Sequence, residues 1–516
     1  MSNFSDNQNR FDRKNAGQSD GNSDRGRPVL IAVDLGAESC RISLLRWVDS
    51  TPEIQLVHRF ATSTRTDRNG LRWNLEAILH GIEQGLHACA QLAPEGIAAI
   101  GVDGWAVDYV RLVGGKPTGD PFCYRDERTV EATKAVHARI SPARLYELTG
   151  VQILALNTLY QLHADPLREQ SLPWVNVPEY VMYWLGGRRV SEYTNATHTQ
   201  LLAPIPGGHD HVWSSEIFAA AGLDINAAPP LVMPGTFIGR LRGSLASLTP
   251  FRETQLIASA CHDTASAIAG IAANAEDWGF ISSGTWSLVG CVLDSPCISE
   301  AARIANFSNQ GGVGGQIYFL KNVNGMWLLR NCIEQWRVQG NVWTVEQLVA
   351  ACADLDAPHC LIDVDEPDLL LLGDMPARIN AQLRRRGQDP ISDDPEMPVR
   401  MVNLIFHSLA ERYAVVLRDA SRITGMKIRR LYIVGGGSRN ELLTRLTART
   451  TGLEVLTGST ESTTLGNFAI QLAALNGEYL DGIGVSASAV TKWANILAAH
   501  PIKEVGGQAV RIGEAF

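Results

Sequence analysis

PVLIAVDLGAESCR, residues 28–41, opens on an unbroken apolar run from Val29 to Val33 and turns through Asp34-Leu35-Gly36. A short apolar run bounded by turn residues is the pattern of a strand buried on both faces. RISLLRW (41–47) then alternates loosely, which predicts the return strand of a hairpin. The same style comes back twice. WGFISSGTWSLVGCVL (278–293) reads as strand, Ser/Gly/Thr turn and strand, and RRLYIVGGGSRNELLTRLTART (429–450) as strand, triple-glycine turn and helix. Helical spacing of apolar residues marks 74–92 and 398–424, the latter stopped by Gly425. Buried strands alternating with amphipathic helices predict an α/β chain of two domains on one plan, joined between about 265 and 277.

A chain of 516 residues is too long for one hydrophobic core. With 45% hydrophobic and 19% charged residues it has the composition of an ordinary globular protein. A net charge of -9 argues against a nucleic-acid partner, and no apolar stretch is long enough for a transmembrane helix. The polar, Gly/Ser/Asn-rich N-terminus lacks the apolar surface to order itself and has no signal-peptide core. Nine cysteines without a CxxC pair are expected as reduced thiols in a cytoplasmic protein.

The three glycine turns, AVDLGAESCR (32–41), SSGTWS (282–287) and VGGGSRN (434–440), each follow an apolar strand and combine Gly with Ser or Thr. Backbone amides and short hydroxyls at such turns can cradle phosphate. No GxxxxGK[ST], no GxGxxG on a first strand and no HExxH occurs, so a P-loop, a dinucleotide fold and a catalytic zinc site are excluded. Beside a triphosphate, Asp34 at its strand end is placed to hold Mg²⁺ through water. In SACHDTASA (259–267) the carboxylate of Asp263 stands among small residues. Phosphoryl transfer to a hydroxyl needs one such group as base, with room for both substrates. The rival reading of Asp263 is a helix cap.

AVDLGAESCR, GVDGWAVDYV, YRDERT, LYELTGVQ, NTLYQL, EYTNATHTQLL, HDTASA, SSGTWSLVG, LKNVNGMWLL, IVGGGSRN and TLGN, in this order over residues 29 to 480, resemble the FGGY carbohydrate kinases, and within them the branch acting on L-rhamnulose. The resemblance implies a two-domain actin-like ATPase fold of the ribonuclease-H-like type with the active site in the interdomain cleft. It implies a tail at 1–28, an N-terminal domain at 29–268, a C-terminal ATP-binding domain at 269–485 and an extension at 486–516. The implied reaction is Mg²⁺-ATP-dependent phosphorylation of a ketose hydroxyl, foremost L-rhamnulose at C1, with L-fuculose or a pentulose as alternatives. Asp263 corresponds to the general base, and His262, Asp263, Thr264 and the loop residue Ala106 to the sugar contacts. ATP contacts correspond to Ala37, Glu38, Ser39, Cys40, Arg41, Thr285, Asn322, Arg330 and Gly436.

Departures from the family pattern are Glu38 and Cys40 in the first turn, Gly104 and Ala106 in the sugar-side loop, and Arg330. A carboxylate at Glu38 would repel phosphate unless it points away or helps hold the metal. The competing reading is an actin-like nucleotide-dependent sensor without transfer activity, against which Asp263 stands. The oligomeric state is left open.

Overall fold

The computed structural model describes residues 27–204, 211–273, 277–371 and 373–504. The expected tail lies outside them except for its last two residues. Two mixed sheets organise the chain. The first contains β1 (Leu30–Leu35), β2 (Ser39–Val48), β3 (Thr51–Ala61), β4 (Ala99–Gly104), β5 (Thr236–Arg240) and β6 (Gln255–Ala258). The second contains β7 (Trp278–Ser283), β8 (Trp286–Leu293), β9 (Ser308–Gly311), β10 (Ile317–Asn324), β11 (Arg430–Val434) and β12 (Glu454–Thr457). A last strand, β13 (Ile502–Glu504), returns to the edge of the first sheet, parallel to β3.

The strand orders are β5-β6-β4-β1-β2-β3-β13 and β9-β10-β8-β7-β11-β12. Each sheet holds the same five-strand core: an antiparallel meander (β1-β2-β3, and β7-β8-β10) followed by two parallel strands (β4 and β6, and β11 and β12). The plan inferred from the recurring strand-and-turn style is therefore present in both halves. Every residue of β1 is buried, as an apolar run covered on both faces requires.

Helix α1 (Leu75–Leu92), capped by the Asn74 side chain, packs on β2 and β3. Helix α2 (Asp263–Ala269) leaves the end of β6; α3 (Trp327–Val338) leaves β10; α4 (Met397–Thr424) ends at Gly425 in the left-handed conformation. Helix α5 (Glu441–Thr451) follows the triple-glycine turn, and α6 (Ser462–Leu475) and α7 (Ala487–Ala498) pack together. GVDGWAVDYV supplies the end of β4 and a second strand. Tyr109–Val113 leaves to pair with Trp174–Asn176 in a separate small sheet.

Although α6 follows the second sheet in sequence, it lies against the first and crosses α2 in backbone contact. A Cβ at Gly466 would stand 1.8 Å from Ser266 O, and one at Gly270 would stand 2.2 Å from Ser462 O. The described part of the stretch set apart as an extension, 486–504, is likewise built in: α7 covers α6 and β13 completes the first sheet. Among the described residues no helix is long and apolar enough to cross a membrane.

Candidate active site

Strands β1 and β4 run parallel, as do β4 and β6, and their carboxyl ends converge. Trp105 N donates to Leu35 O at 3.1 Å, Gly104 N donates to Cys261 O at 3.0 Å, and Gly104 bridges His262. Open α/β sheets take ligands at these strand ends. Asp34, Asp103 and the His262–Asp263 pair all stand there, with Asp34 and Asp103 in register on neighbouring strands.

Asp263 is the first residue of α2, and His262 holds the cap position without a capping side-chain bond. The carboxylate accepts from its neighbour Thr264 N at 2.6 Å and lies 3.4 Å from His262 Nε2. Burial, and then the charge of Asp34, raise its carboxyl to about 7. Its side chain keeps 32% of its surface open, so the group remains reachable.

Asp34 Oδ2 accepts from Arg41 NH1 at 3.1 Å, yet burial still raises its carboxyl. Asp103 is fully buried; Asn467 Nδ2, from α6, donates to its Oδ2 at 2.5 Å, while Oδ1 has no partner among the described residues. Burial and then Asp34 push the Asp103 carboxyl well up. Arg41 also faces Glu461, at 3.3 Å, and Arg59 NH2 lies 3.4 Å from the same carboxylate. Three acids at one sheet end are costly to fold, and such concentrations of shifted carboxylates mark functional sites.

The segment EYTNATHTQ holds the Cys261–Asp263 stretch in place. Glu192, fully buried, accepts from Cys261 N at 2.8 Å, Thr194 N at 3.0 Å and Thr194 Oγ1 at 2.6 Å. Thr194 Oγ1 in turn accepts from His262 N at 3.3 Å. Behind it, buried Glu179 accepts from Glu192 N at 3.1 Å and Asn195 Nδ2 at 2.8 Å. Burial raises Glu192 to about 8 and Glu179 to about 7. The folded chain thus holds protons that the unfolded chain has released, so this stabilisation is complete at acid pH and disappears as pH rises through the two folded values. Tm measured against pH should fall from about 4.5, the ordinary carboxyl value, up to about 8, where both groups are charged in the folded chain too, and Glu192→Gln should flatten the upper part of that fall. A parallel profile in the variant would exclude Glu192 as its source.

The loop at 104–108 is strained and pinned. Val107, a β-branched residue, has φ 70°, a conformation such residues rarely adopt. Thr158 Oγ1 donates to Val107 O at 2.7 Å. Asp108 is buried and accepts from Trp73 Nε1 at 2.6 Å, Trp105 Nε1 at 3.0 Å, Gln161 Nε2 at 2.8 Å and Tyr124 N at 3.2 Å. Ala106 in this loop is partly buried. Gly104 is required by packing, since a Cβ there would meet Leu35 Cβ at 2.6 Å and Leu35 O at 2.9 Å. Close strand packing is thus sufficient to account for a glycine at this position.

The phosphate-type turns are formed, and the structure fixes the directions of two side chains in the first. Cys40 is fully buried in the apolar core, 3.7 Å from Thr62 Oγ1, its thiol pushed up to about 12 by burial; only its backbone is left for a ligand. Glu38 reaches across the cleft, where Thr285 Oγ1 donates to it at 2.8 Å and Arg330 NH1 forms an ion pair with it. Its charge is thus matched by Arg330, and the repulsion expected of an unpaired carboxylate is offset. Ala37 and Ser39 flank it, half-buried. In the third turn, Cβ atoms at Gly435 and Gly437 would collide with Ser283, whereas one at Gly436 would meet nothing within 4 Å. The outer glycines seat the turn on β7 and the middle one faces open space. Asn322 N and Nδ2 both lie 3.0 Å from Gln152 Oε1 of the first half, so this side chain bridges the cleft.

Two family models match the chain. The N-terminal domain of the FGGY family of carbohydrate kinases matches residues 29–270, and its C-terminal domain matches 279–475. A rhamnulokinase of Bacteroides thetaiotaomicron is 35% identical over 462 residues, covering 88% of this chain and 92% of its own. A rhamnulokinase of Pectobacterium carotovorum is 36% identical over 457 residues, covering 86% and 88%. The chain belongs to the FGGY carbohydrate kinases. The kinase is also similar in fold to the xylulose kinase of Lactobacillus acidophilus, with TM-score 0.68 and 13% identity over 91% of this chain and 96% of that one. Plasmodium falciparum glycerol kinase with ADP aligns with TM-score 0.68 and 12% identity, covering 91% and 92%. The two-domain actin-like architecture expected of the kinase is thereby established.

Sequence reading missed Asp103, Glu192 and Glu461 of this kinase. AIGVDG repeats the pattern of IAVDLG, a buried strand ending in Asp, and that repetition is the signal that would have found Asp103. Glu192 and Glu461 carry no local signal.

Proposed function

We propose that the protein transfers the γ-phosphoryl group of ATP to the C1 hydroxyl of L-rhamnulose, with Asp263 as general base. The observation that supports the transfer step is the Asp263 carboxyl, raised to about 7 at the end of β6 and still partly open. A carboxyl of that basicity can accept a hydroxyl proton near neutral pH. The choice of sugar rests on the rhamnulokinases that share about a third of its residues. The sensor alternative leaves the three-carboxylate sheet end without a purpose.

The residues fit a nucleotide and Mg²⁺. The open face of Gly436, the half-buried Thr285 and the backbone of Ala37–Arg41 would hold the phosphates and nucleoside side. Among the described residues no group of three or more His, Cys, Asp or Glu is arranged as a metal cage. Mg²⁺ needs none, because it keeps waters and takes one or two carboxylates with phosphate. Asp34 would hold it, with Asp103 beside it; bound there, the metal would neutralise charge on the phosphates. Asn322 and Arg330 line the nucleotide side, while His262, Thr264 and Ala106 would orient the sugar so that its C1 hydroxyl meets Asp263. The domains on this reading are 29–268 and 269–485, and all nine cysteines are unpaired, as suits a cytoplasmic enzyme.

The test is ADP release by the purified protein over L-rhamnulose, L-fuculose, L-xylulose and L-ribulose. L-Rhamnulose should give the highest kcat/KM; a higher value for another ketose replaces it as substrate, and no turnover of any refutes the kinase reading.

Glu38→Ser tests the first turn. It frees Thr285 and Arg330 for phosphate, but the pair it breaks is 42% and 48% exposed and worth no more than about 1 kcal/mol. ATP Kd should therefore be equal or lower, by at most about fivefold. A tenfold weakening by calorimetry would mean that Glu38 helps to hold the metal.

A further inference from the structure

We propose that His198 is a positioning residue through which β9 of the second sheet holds the His262–Asp263 pair in its working orientation. The rings of His198 and His262 lie with centroids 3.9 Å apart, tilted by 55°. Both are buried, at 8% and 5% exposure. The far side of His198 is held from the other half of the molecule: Gln310 Nε2, on β9, lies 3.2 Å from His198 Nδ1. One residue earlier, Gly311 N donates to Thr197 Oγ1 at 3.0 Å, so the segment is tied to β9 at two successive points.

Two supports thus meet on His262. Its backbone is held within its own half by Thr194, that of the preceding Cys261 by Glu192, and its ring is braced by His198. Its Nε2 faces Asp263 Oδ1 at 3.4 Å, so rotation of the ring would displace the carboxylate's partner. The two imidazoles do not repel each other, because burial holds both neutral, His198 at about 3 and His262 well below its ordinary value. With the Gln310 amide donating, His198 Nδ1 is the acceptor and the ring proton sits on Nε2. The site at the end of the first sheet is therefore oriented in part by a strand of the second, and the brace exists only while the two halves stand in this arrangement.

This inference rests on Asp263 acting as base. Its test is a double-mutant cycle in the full chain with His198→Ala, Gln310→Leu and both together, with Asp263→Asn alongside. Gln310→Leu keeps the volume while removing the polar contact. The readouts are kcat and KM for the best ketose, KM for ATP, and Tm. Misplacement of a reacting group by about an ångström costs up to ~10²-fold, so each single variant should lower kcat about tenfold or more. ATP KM should stay within about twofold, and the double variant should be no slower than His198→Ala, because both remove one brace. A purely structural role would lower Tm in proportion and leave kcat per folded molecule unchanged. If His198→Ala does not fold, Gln310→Leu alone decides. A kcat within about twofold of the parent in Gln310→Leu, or multiplicative losses in the double variant, would overturn the proposal. Near-normal turnover of Asp263→Asn would instead remove the base reading, while the coupling is still decided by the ratio of the four kcat values.

Discussion

Replacing Asp263 by asparagine is expected to lower kcat by at least ~10²–10⁴-fold while the protein stays folded and binds both substrates. Asn keeps the size of the side chain and an oxygen that can accept from Thr264 N, which is the bond the carboxylate makes to the first turn of α2. It cannot accept a proton. The capping alternative expects another pattern, since Asn caps a helix about as well as Asp and turnover would hardly move. Removing one of three neighbouring acids also relieves repulsion on Asp34 and Asp103, so Tm should be equal to or above that of the parent. Measuring kcat, ATP affinity and Tm on one preparation separates the cases. Retention of more than about a tenth of kcat would remove Asp263 from the chemistry.

Gly466→Ala is expected to be the most disruptive small substitution outside the chemistry. The added Cβ would stand 1.8 Å from Ser266 O, 2.8 Å from Ser266 C and 2.9 Å from Gly270 N, all backbone atoms that cannot swing aside. Helix α2 would have to shift, carrying Asp263 at its first residue. Overpacking of this kind costs up to about 3 kcal/mol and occasionally more, so both Tm and kcat should drop together. Gly436→Ala is the control for stability: its Cβ meets nothing within 4 Å, and Tm should hold. An unchanged Tm in Gly466→Ala would show that the helices do not cross as closely as described.

What could be read locally was read correctly. The buried β1, the hairpins at both glycine turns, the capped α1, the long α4 with its Gly425 stop and the strand-turn-helix at 430–451 follow from residue spacing and turn chemistry within each segment. The residue types of the site were legible for the same reason: an Asp at a strand end and an Asp among small residues announce themselves within a few positions. The side-chain directions of Cys40 and Glu38 were not legible, because both stand in one short turn, where spacing says nothing of direction. Cys40 points into the core and Glu38 across the cleft, and contacts with Thr62 in one case and Arg330 in the other decide it.

By itself, then, the sequence determined the secondary elements, the doubled strand-and-turn plan and the chemical inventory of the site, because side-chain period and turn preference act over a few residues. Tertiary structure alone decided which of those elements meet. Asp103 meets Asn467 across 364 positions, β13 closes the first sheet from the chain's far end, and His198 finds Gln310 on the opposite sheet. The same holds for the carboxyl of Asp263: its basicity comes from burial and from Asp34, a neighbour brought beside it by the parallel pairing of β1, β4 and β6. Electrostatic work in a buried site depends on distances between segments remote in the chain, and local pattern carries no record of those distances.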